Sequence, residues 1–478
     1  MTEKDRLWLG VLAALMTGVL FWASRDTSPF GPLVLIAPIP WLVYALPARS
    51  VWVVAVLSFV AGTVGRLGLI LTYISVIPLA ALLLWVVFLP LSFMAVVLLT
   101  RWLYRPDAPW LALLAYPVFS TASEFLFNLA SPHGIFGSLG YALTDFLPLM
   151  QAASVGGVAA LTFIGSLIPM AAALFIIAPR SWKSTALLAG LPLLAAVVFG
   201  ATRLMHGYDR EMVVALAAID ATQNDDVRDE ATAVQNAQAY AALIDGFADK
   251  KPDFVVLPEK SVIRKPGWRD AGASVREAAE RNGMSVVSGL NETLADGQHA
   301  NVAELYRPAQ PPRRYLKRKL IPGLEWEFIT GADSLVAGNI GVAICKDMDF
   351  PALIRDYGRQ GVELLLVPAW DFRADARLHS RMAVMRGVEN GFAVARAGAN
   401  GMLTVSDAYG RILAEQPTSS DRAVVMNATV GLQAGRTLYS RIGDAFGWLT
   451  VVGATLLIVS RFRFLSTKRV DGRSPQPS

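Results

Sequence analysis

An unbroken apolar stretch of about 20 residues can cross the hydrocarbon core of a bilayer as a helix, and the first 205 residues of this chain hold one such stretch after another. We place them at 7–24, 31–48, 51–71, 76–100, 109–130, 154–178 and 184–203, with an eighth at 444–460 ("DAFGWLTVVGATLLIVS") after a long polar interval. The composition agrees, since 54% of the 478 residues are hydrophobic and only 17% are charged, too apolar for an ordinary water-soluble chain. The first run has the basic start and apolar centre of a secretory signal, but further spans follow at once, so it reads as a retained helix.

Hydrophobicity finds the spans; the charge of the connecting loops orients them. Lys4 and Arg6 precede the first run, Arg49 lies between the second and third, Arg101 and Arg105 follow the fourth, and Arg180 and Lys183 follow the sixth. Arg461, Arg463, Lys468 and Arg469 follow the eighth. With eight crossings all of these fall on one side. The short loops of the other side offer Arg25 and Arg66, and the 131–153 loop has neither Lys nor Arg. Both termini are therefore predicted to be cytoplasmic, and the long interval between the last two spans to lie on the far side, the periplasm or exterior of a bacterial cell. The net charge of +5 is accounted for by this topology rather than by nucleic-acid binding, which is not expected. Arg66 and Glu124 lie within or close to apolar runs, where an ionised group must reach the interface, pair with another helix or line a polar cavity.

The domains predicted are a transmembrane domain at 1–205, an extramembrane domain at 212–435, a last transmembrane helix at 444–460 and a cytoplasmic tail at 461–478, ending in the disorder-prone "DGRSPQPS". In the extramembrane part, short apolar runs at 212–219, 254–258, 285–290, 340–345, 362–368 and 392–398 read as strands, and 226–248, 272–282 and 376–390 as helices. Strands alternating with amphipathic helices make an α/β domain, and roughly 220 residues suffice to bury its core.

Cys345 is the only cysteine, which excludes an intramolecular disulfide and any cysteine-cluster metal site. His133, His206, His299 and His379 show no His-x-x-x-His spacing, so no metal and no cofactor are expected. In α/β sheets functional groups collect where strands end. Glu259 ends "FVVLPEKS", Lys317 and Glu325 stand in "RRYLKRKLIPGLEWEF", and Cys345 ends "IGVAIC" before "KDMDF". Singly, each has an ordinary reading: a capping or solvated glutamate, a surface lysine, a packed thiol. Together they supply a base, a cation for an oxyanion and a nucleophile, the three groups that acyl transfer through a thioester requires.

Glu259 in "LPEKS", Lys317 in "YLKRKLIP" with Glu325 eight residues on, and Cys345 in "ICKDMDFP" resemble the Glu-Lys-Cys set of the nitrilase, or carbon-nitrogen hydrolase, superfamily, and "HSRMAVMRGVENGFAVARAGANGMLTVSDAYGRI" is similar to the segment after its nucleophile. That resemblance implies an α-β-β-α sandwich. Combined with the membrane helices, and with "LGYALTDFLPLMQAASVGGVAALTFI" at 139–164, it narrows to the apolipoprotein N-acyltransferase family of the bacterial inner membrane, whose catalytic domain faces the periplasm. The resemblance implies an acyl donor phospholipid, a diacylated lipoprotein acceptor, and these roles: Glu259 general base, Lys317 oxyanion stabiliser, Cys345 nucleophile and Glu325 supporting carboxylate. Trp370 in "PAWDF" and Trp326 beside Glu325 are assigned to substrate binding, with core packing the plain alternative for Trp370. The family has Tyr and Glu after its cysteine; here Lys346 and Asp347 stand, and Lys346 is expected either to lower the thiol pKa or to pair with Asp347 at the surface. The rival functions are a membrane-tethered amidase, with water in place of the amine, and a scaffold without activity.

Overall fold

The computed structural model describes residues 3–24, 30–74, 79–219, 227, 229–418, 422–433 and 435–471. Arg25 lies outside them, as does the end of the predicted tail. The amino-terminal part is a bundle of α1 (Glu3–Ala23), a 3₁₀ turn (Gly31–Leu35), α2 (Ile39–Ala45), α3 (Val51–Tyr73), α4 (Leu79–Leu103), α5 (Trp110–Ala130), the short α6 (Leu147–Met150), α7 (Ala153–Ile177) and α8 (Trp182–Leu204).

The run expected at 31–48 is not one regular span. It is the 3₁₀ turn followed by the seven-residue α2, because Pro32, Pro38, Pro40 and Pro47 each lack the backbone donor that a continuous helix needs. The chain nevertheless returns to the end from which it started. Gly10 lies against the Tyr44 ring and the Trp41 N–H donates to Thr17 Oγ1 at 3.2 Å, so α2 runs antiparallel to α1. Gly18 lies against Val64 and Gly65 against Phe21, which makes α1 and α3 parallel neighbours. An element too short for an ordinary span thus keeps the alternation of direction on which the charge reading depends.

The next elements form the α/β domain: β1 (Arg210–Ala218), α9 (Glu230–Asp245), β2 (Phe254–Val256), β3 (Val262–Arg264), α10 (Gly272–Asn282), β4 (Ser285–Thr293), β5 (His299–Tyr306), β6 (Arg313–Leu316), β7 (Phe328–Ile329), β8 (Leu335–Ala337) and β9 (Ile340–Val342). They continue through α11 (Pro351–Arg359), β10 (Leu364–Trp370), α12 (Ala376–Asn390), β11 (Ala393–Ala399), β12 (Met402–Ser406), β13 (Ile412–Pro417) and β14 (Val424–Leu432). Last come α13 (Leu438–Ile442) and α14 (Ala445–Asp471). Seven helices among the described residues are long and apolar enough to cross a membrane, and the chain is a multi-pass membrane protein. The last of these helices runs on through 461–471, residues expected from the sequence to belong to the tail.

One sheet has the order β14-β1-β2-β4-β5-β6, with β3 beside β4 and β7 beside β5; the other has the order β13-β12-β11-β10-β9-β8. Their inner faces meet through Val214, Leu216, Val256 and Val287 on one side and Leu364, Leu366, Ala395 and Leu403 on the other. Alternate residues of the same strands point outward, as strand geometry requires. Ala215, Val255 and Val286 pack under α9 and α10, while Leu365, Val367 and Val394 pack under α11 and α12. The result is the four-layer α-β-β-α sandwich of the nitrilase type.

The bundle has two unlike ends. At one, Arg101 donates to the Ala48 carbonyl at 2.6 Å, and the Trp102 and Phe462 rings lie 5.1 Å apart, which brings the predicted cytoplasmic basic segments together. At the other end the α/β domain is seated. Tyr73 Oη donates to Asp375 Oδ2 at 2.6 Å, Gln151 Nε2 to the Tyr409 carbonyl at 2.8 Å, and the Val158 N–H to Glu389 Oε1 at 2.9 Å.

Candidate active site

Four segments converge at the edge where the two sheets meet the bundle. Glu259 follows β2, and its backbone passes so close to β4 that a Cβ on Gly289 would stand 2.5 Å from Glu259 Cα; only glycine fits there. Lys317 follows β6, its N–H donating to the Asn301 carbonyl at 2.9 Å. Glu325 closes the turn after it, accepting the Ile321 N–H at 2.8 Å. Cys345 opens a 3₁₀ turn (Cys345–Asp349) beyond β9 with φ 39°, a left-handed conformation that costs a non-glycine residue about 1–3 kcal/mol.

Asp347 holds that strained turn. Its Oδ2 accepts from the Ile344 N–H at 3.0 Å and from Tyr315 Oη at 2.7 Å. Its Oδ1 accepts from the N–H groups of Arg318 at 3.2 Å and Lys319 at 2.8 Å. One buried carboxylate therefore ties the segment of Lys317 to the turn of Cys345. Burial pushes the Asp347 carboxyl up to about 6 despite those donors.

Lys317, 0% exposed, is the centre of the cluster. Its Nζ donates to Glu259 Oε1 at 2.8 Å and to Glu325 Oε2 at 2.8 Å. Asn301 Nδ2 bridges the same carboxylates, at 2.5 Å to Glu259 and 2.9 Å to Glu325. Lys260 Nζ stands 3.5 Å from Glu325 Oε1. Two ammonium groups thus offset two carboxylates, which is what makes a buried charge cluster tolerable. Burial opposes the charge on Lys317, but Glu259 and Glu325 outweigh it and hold the ammonium above its ordinary pKa. Burial likewise works against Glu325, and Lys317 then Lys260 overcome it, holding the carboxyl at about 2.

The Cys345 thiol is buried and donates to the Trp370 carbonyl at 3.3 Å. Burial pushes its pKa well up, the charge of Glu259 adds to this, and that of Lys317 works against it. The resting group is therefore a thiol, and reaction requires a base to take its proton.

All four residues singled out from the sequence thus come together. Trp370 stands at the site through its carbonyl, and Lys260 lies over its ring at 5.4 Å. Trp326 does not join the cluster; it is 77% exposed. Lys346 corrects the expectation of a surface pair with Asp347: it is buried, with its Nζ 2.6 Å from Asp349 Oδ2, since Asp347 is committed to backbone donors. Arg66 and Glu124 line one cavity in the bundle with Phe21, Ser92 and Phe136, and Glu124 accepts from Ser138 and Thr162, each at 2.6 Å.

Several site residues carried no signal in one sequence. Asn301 sits inside an ordinary strand, and Arg396, buried, pairs with Asp371 (Nη1 to Oδ2, 2.8 Å). His379 Nδ1 lies 3.3 Å from Asp371 Oδ1 and its Nε2 3.7 Å from Asp375 Oδ2, continuing the polar path to Tyr73 of the bundle. Lys260 was also passed over, although its place directly after Glu259 in "LPEKS" was a signal that could have found it.

Comparison with known proteins gives two family matches: carbon-nitrogen hydrolase over residues 214–436 and apolipoprotein N-acyltransferase N-terminal domain over residues 17–171. An apolipoprotein N-acyltransferase of Geobacter metallireducens is 26% identical, with 95% of each chain covered. Another, of Azotobacter vinelandii, is 25% identical, with 98% of each covered. Among solved structures, an amidase from Nesterenkonia sp. is similar over 51% of this chain and 96% of its own, at a TM-score of 0.40 and 19% identity.

Proposed function

The chain belongs to the apolipoprotein N-acyltransferase family, and from that membership we propose that it moves a fatty acyl chain from a membrane phospholipid, through a thioester on Cys345, to the α-amine of a lipoprotein's diacylglyceryl-cysteine. The observation that carries the reading is the buried Lys317 held between Glu259 and Glu325 beside a protonated thiol, at the face of the α/β domain turned to the membrane bundle. In the first step Glu259 takes the Cys345 proton as sulfur attacks an ester carbonyl of the phospholipid. Lys317 stabilises the oxyanion, an interaction worth about 3–4 kcal/mol for a well-placed donor. Collapse expels the glycerol oxygen, which takes the proton from Glu259 and leaves as lysophospholipid. In the second step the lipoprotein amine attacks the thioester, Glu259 receives the amine proton and returns it to sulfur, and the amide product departs. Glu325 keeps Lys317 charged and in place.

In the orientation we propose, the basic end of the bundle is cytoplasmic and the α/β domain lies outside the inner membrane, with 1–205 and 444–460 forming the membrane part. The gathering of Arg101, Arg461 and the 48–49 loop at the end remote from Cys345 supports it. The test is the intact mass of purified protein incubated with phospholipid and no acceptor. A gain of one acyl group, removed by hydroxylamine and absent in Cys345→Ala, is expected; steady release of free fatty acid with no adduct consumed by an amine acceptor would instead identify a hydrolase.

A further inference from the structure

The bundle and the α/β domain enclose a second cavity that contains none of Glu259, Lys317, Glu325 or Cys345. It has a volume of about 610 Å³ and lies where α5 ends and α7 and α14 begin, at the level of the membrane surface on the domain side. Phe125, Leu129, Val158, Ala159 and Gly447 give it an apolar lining, interrupted on α5 by Thr121, Glu124 and Asn128, and Arg318 and Lys319 line it from the α/β domain.

The charges on these walls do not cancel. Of the carboxylates lining the cavity, Glu124 already accepts from Ser138, Thr162 and the Leu139 N–H, and Asp444 is engaged by Arg355 at 3.0 Å and Tyr439 at 2.8 Å. Arg318 and Lys319 are half-buried, and neither has a carboxylate partner among the described residues; the Lys319 ammonium lies over the Phe350 ring at 4.5 Å. Two adjacent cations above an apolar chamber, at the depth of the lipid headgroups, match a ligand with a phosphodiester head and hydrocarbon chains.

We propose that this cavity is a second lipid site, in which Arg318 and Lys319 hold the phosphodiester of an intact glycerophospholipid while its chains lie against α5, α7 and α14. The occupant is not the acyl donor, because the cavity does not reach Cys345. The site therefore stands whether or not the acyl-transfer reading does. It adjoins the turn of Cys345 through the backbone N–H groups of Arg318 and Lys319, which donate to Asp347, and through those of Ile135 and Phe350, which donate to the carbonyls of Asp349 and Asp347.

The experiment uses the full-length protein in lipid nanodiscs doped with a diether phosphatidylglycerol that carries a diazirine in one alkyl chain; having no ester, this probe cannot acylate Cys345. After illumination, crosslinks are mapped by peptide mass spectrometry in the wild type, in Arg318→Glu/Lys319→Glu, and in Ala159→Phe, which narrows the apolar half and leaves the cations untouched. Crosslinks on 121–129 and 156–159 that fall about tenfold or more in both variants support the site. Crosslinks there that persist after charge reversal overturn it as a phosphate site. Label confined to the cavity of Phe21, Arg66 and Phe136 overturns it altogether, and absence of label here, with inorganic phosphate raising the melting temperature of the wild type but not of the charge-reversed variant, overturns it in favour of a site for the free ion.

Discussion

Replacing Lys317 by Met keeps the length of the side chain and removes its charge, which isolates the electrostatic role of the ammonium. Glu325 is drawn from an ordinary 4.5 to about 2, chiefly by Lys317 working against burial, which corresponds to about 3 kcal/mol of stability at neutral pH. In the variant most of that contribution is lost, with Lys260 alone still facing Glu325 at 3.5 Å, and Glu259 and Glu325, both buried and both bonded to the Asn301 amide, no longer have the ammonium between them. Removing one partner of a buried pair costs about 3–5 kcal/mol, unless one carboxyl takes up a proton. In the wild type a depressed carboxyl gives stability that is present above the unfolded pKa and lost as pH falls through the folded one. In the variant a raised carboxyl gives stability that is present at low pH and lost as pH rises through the raised value. The melting temperature of Lys317→Met should therefore lie well below that of the wild type at about pH 8 and approach it at about pH 5, with no thioester formed at either pH. Adding Glu325→Gln, which removes the surplus carboxylate, should restore much of the stability and none of the activity. Thermal unfolding in detergent across that pH range is the assay; a gap that stays constant or widens on acidification would refute the electrostatic account.

Asp347→Asn leaves an amide that cannot accept from the four donors now facing the carboxylate; we expect thioester formation to slow by about 100-fold, measured in single turnover, as for other small displacements of a reacting group. Gly134→Val should lower the melting temperature and the rate together, since Gly134 has φ +59° and its Cβ would lie 2.2 Å from the Asp349 carbonyl oxygen. By contrast, Gly190→Ala, inside α8 with open space around it, should be neutral or stabilising by up to about 1 kcal/mol. Trp326→Ala should leave the melting temperature unchanged, because the ring is 77% exposed; a raised KM for phospholipid with intact acylation of saturating donor would assign it to lipid capture, and unchanged kinetics would remove it from the substrate site.

The site was legible where chemistry and position coincide. Glu259, Lys317 and Cys345 stand at or just beyond strand ends and are residue types that such places rarely need for packing, so their order along the chain revealed them. Helices 272–282 and 376–390 were likewise visible, since Gly283 and Gly391 end them in left-handed caps; charged residues mark the outer face of the first, whereas Arg381, Arg386 and Glu389 of the second are buried by the fold. The strands at 299–306, 402–406 and 424–432 were not, because most or part of each is buried by tertiary packing rather than marked by alternation. Asn301, Asp371 and Arg396 escaped for a related reason: their importance lies in partners brought near by folding, such as the 25 positions separating Asp371 from Arg396. The second apolar run misled because hydropathy does not weigh four prolines, although the chain still turns back where that run stands.

Strands β1 and β14 lie side by side, Arg210 opposite Leu432, so the chain enters the α/β domain from α8 and leaves it toward α13 and α14 at neighbouring points. A body suspended by two adjacent legs, with further fastenings at Tyr73, Gln151 and Glu389, has no single hinge about which to swing. On the mechanism proposed above, the acceptor amine belongs to the lipidated cysteine itself and so meets Cys345 at a set distance from its own anchor; the length of chain that follows then decides only whether the folded part of the lipoprotein clears the α/β domain.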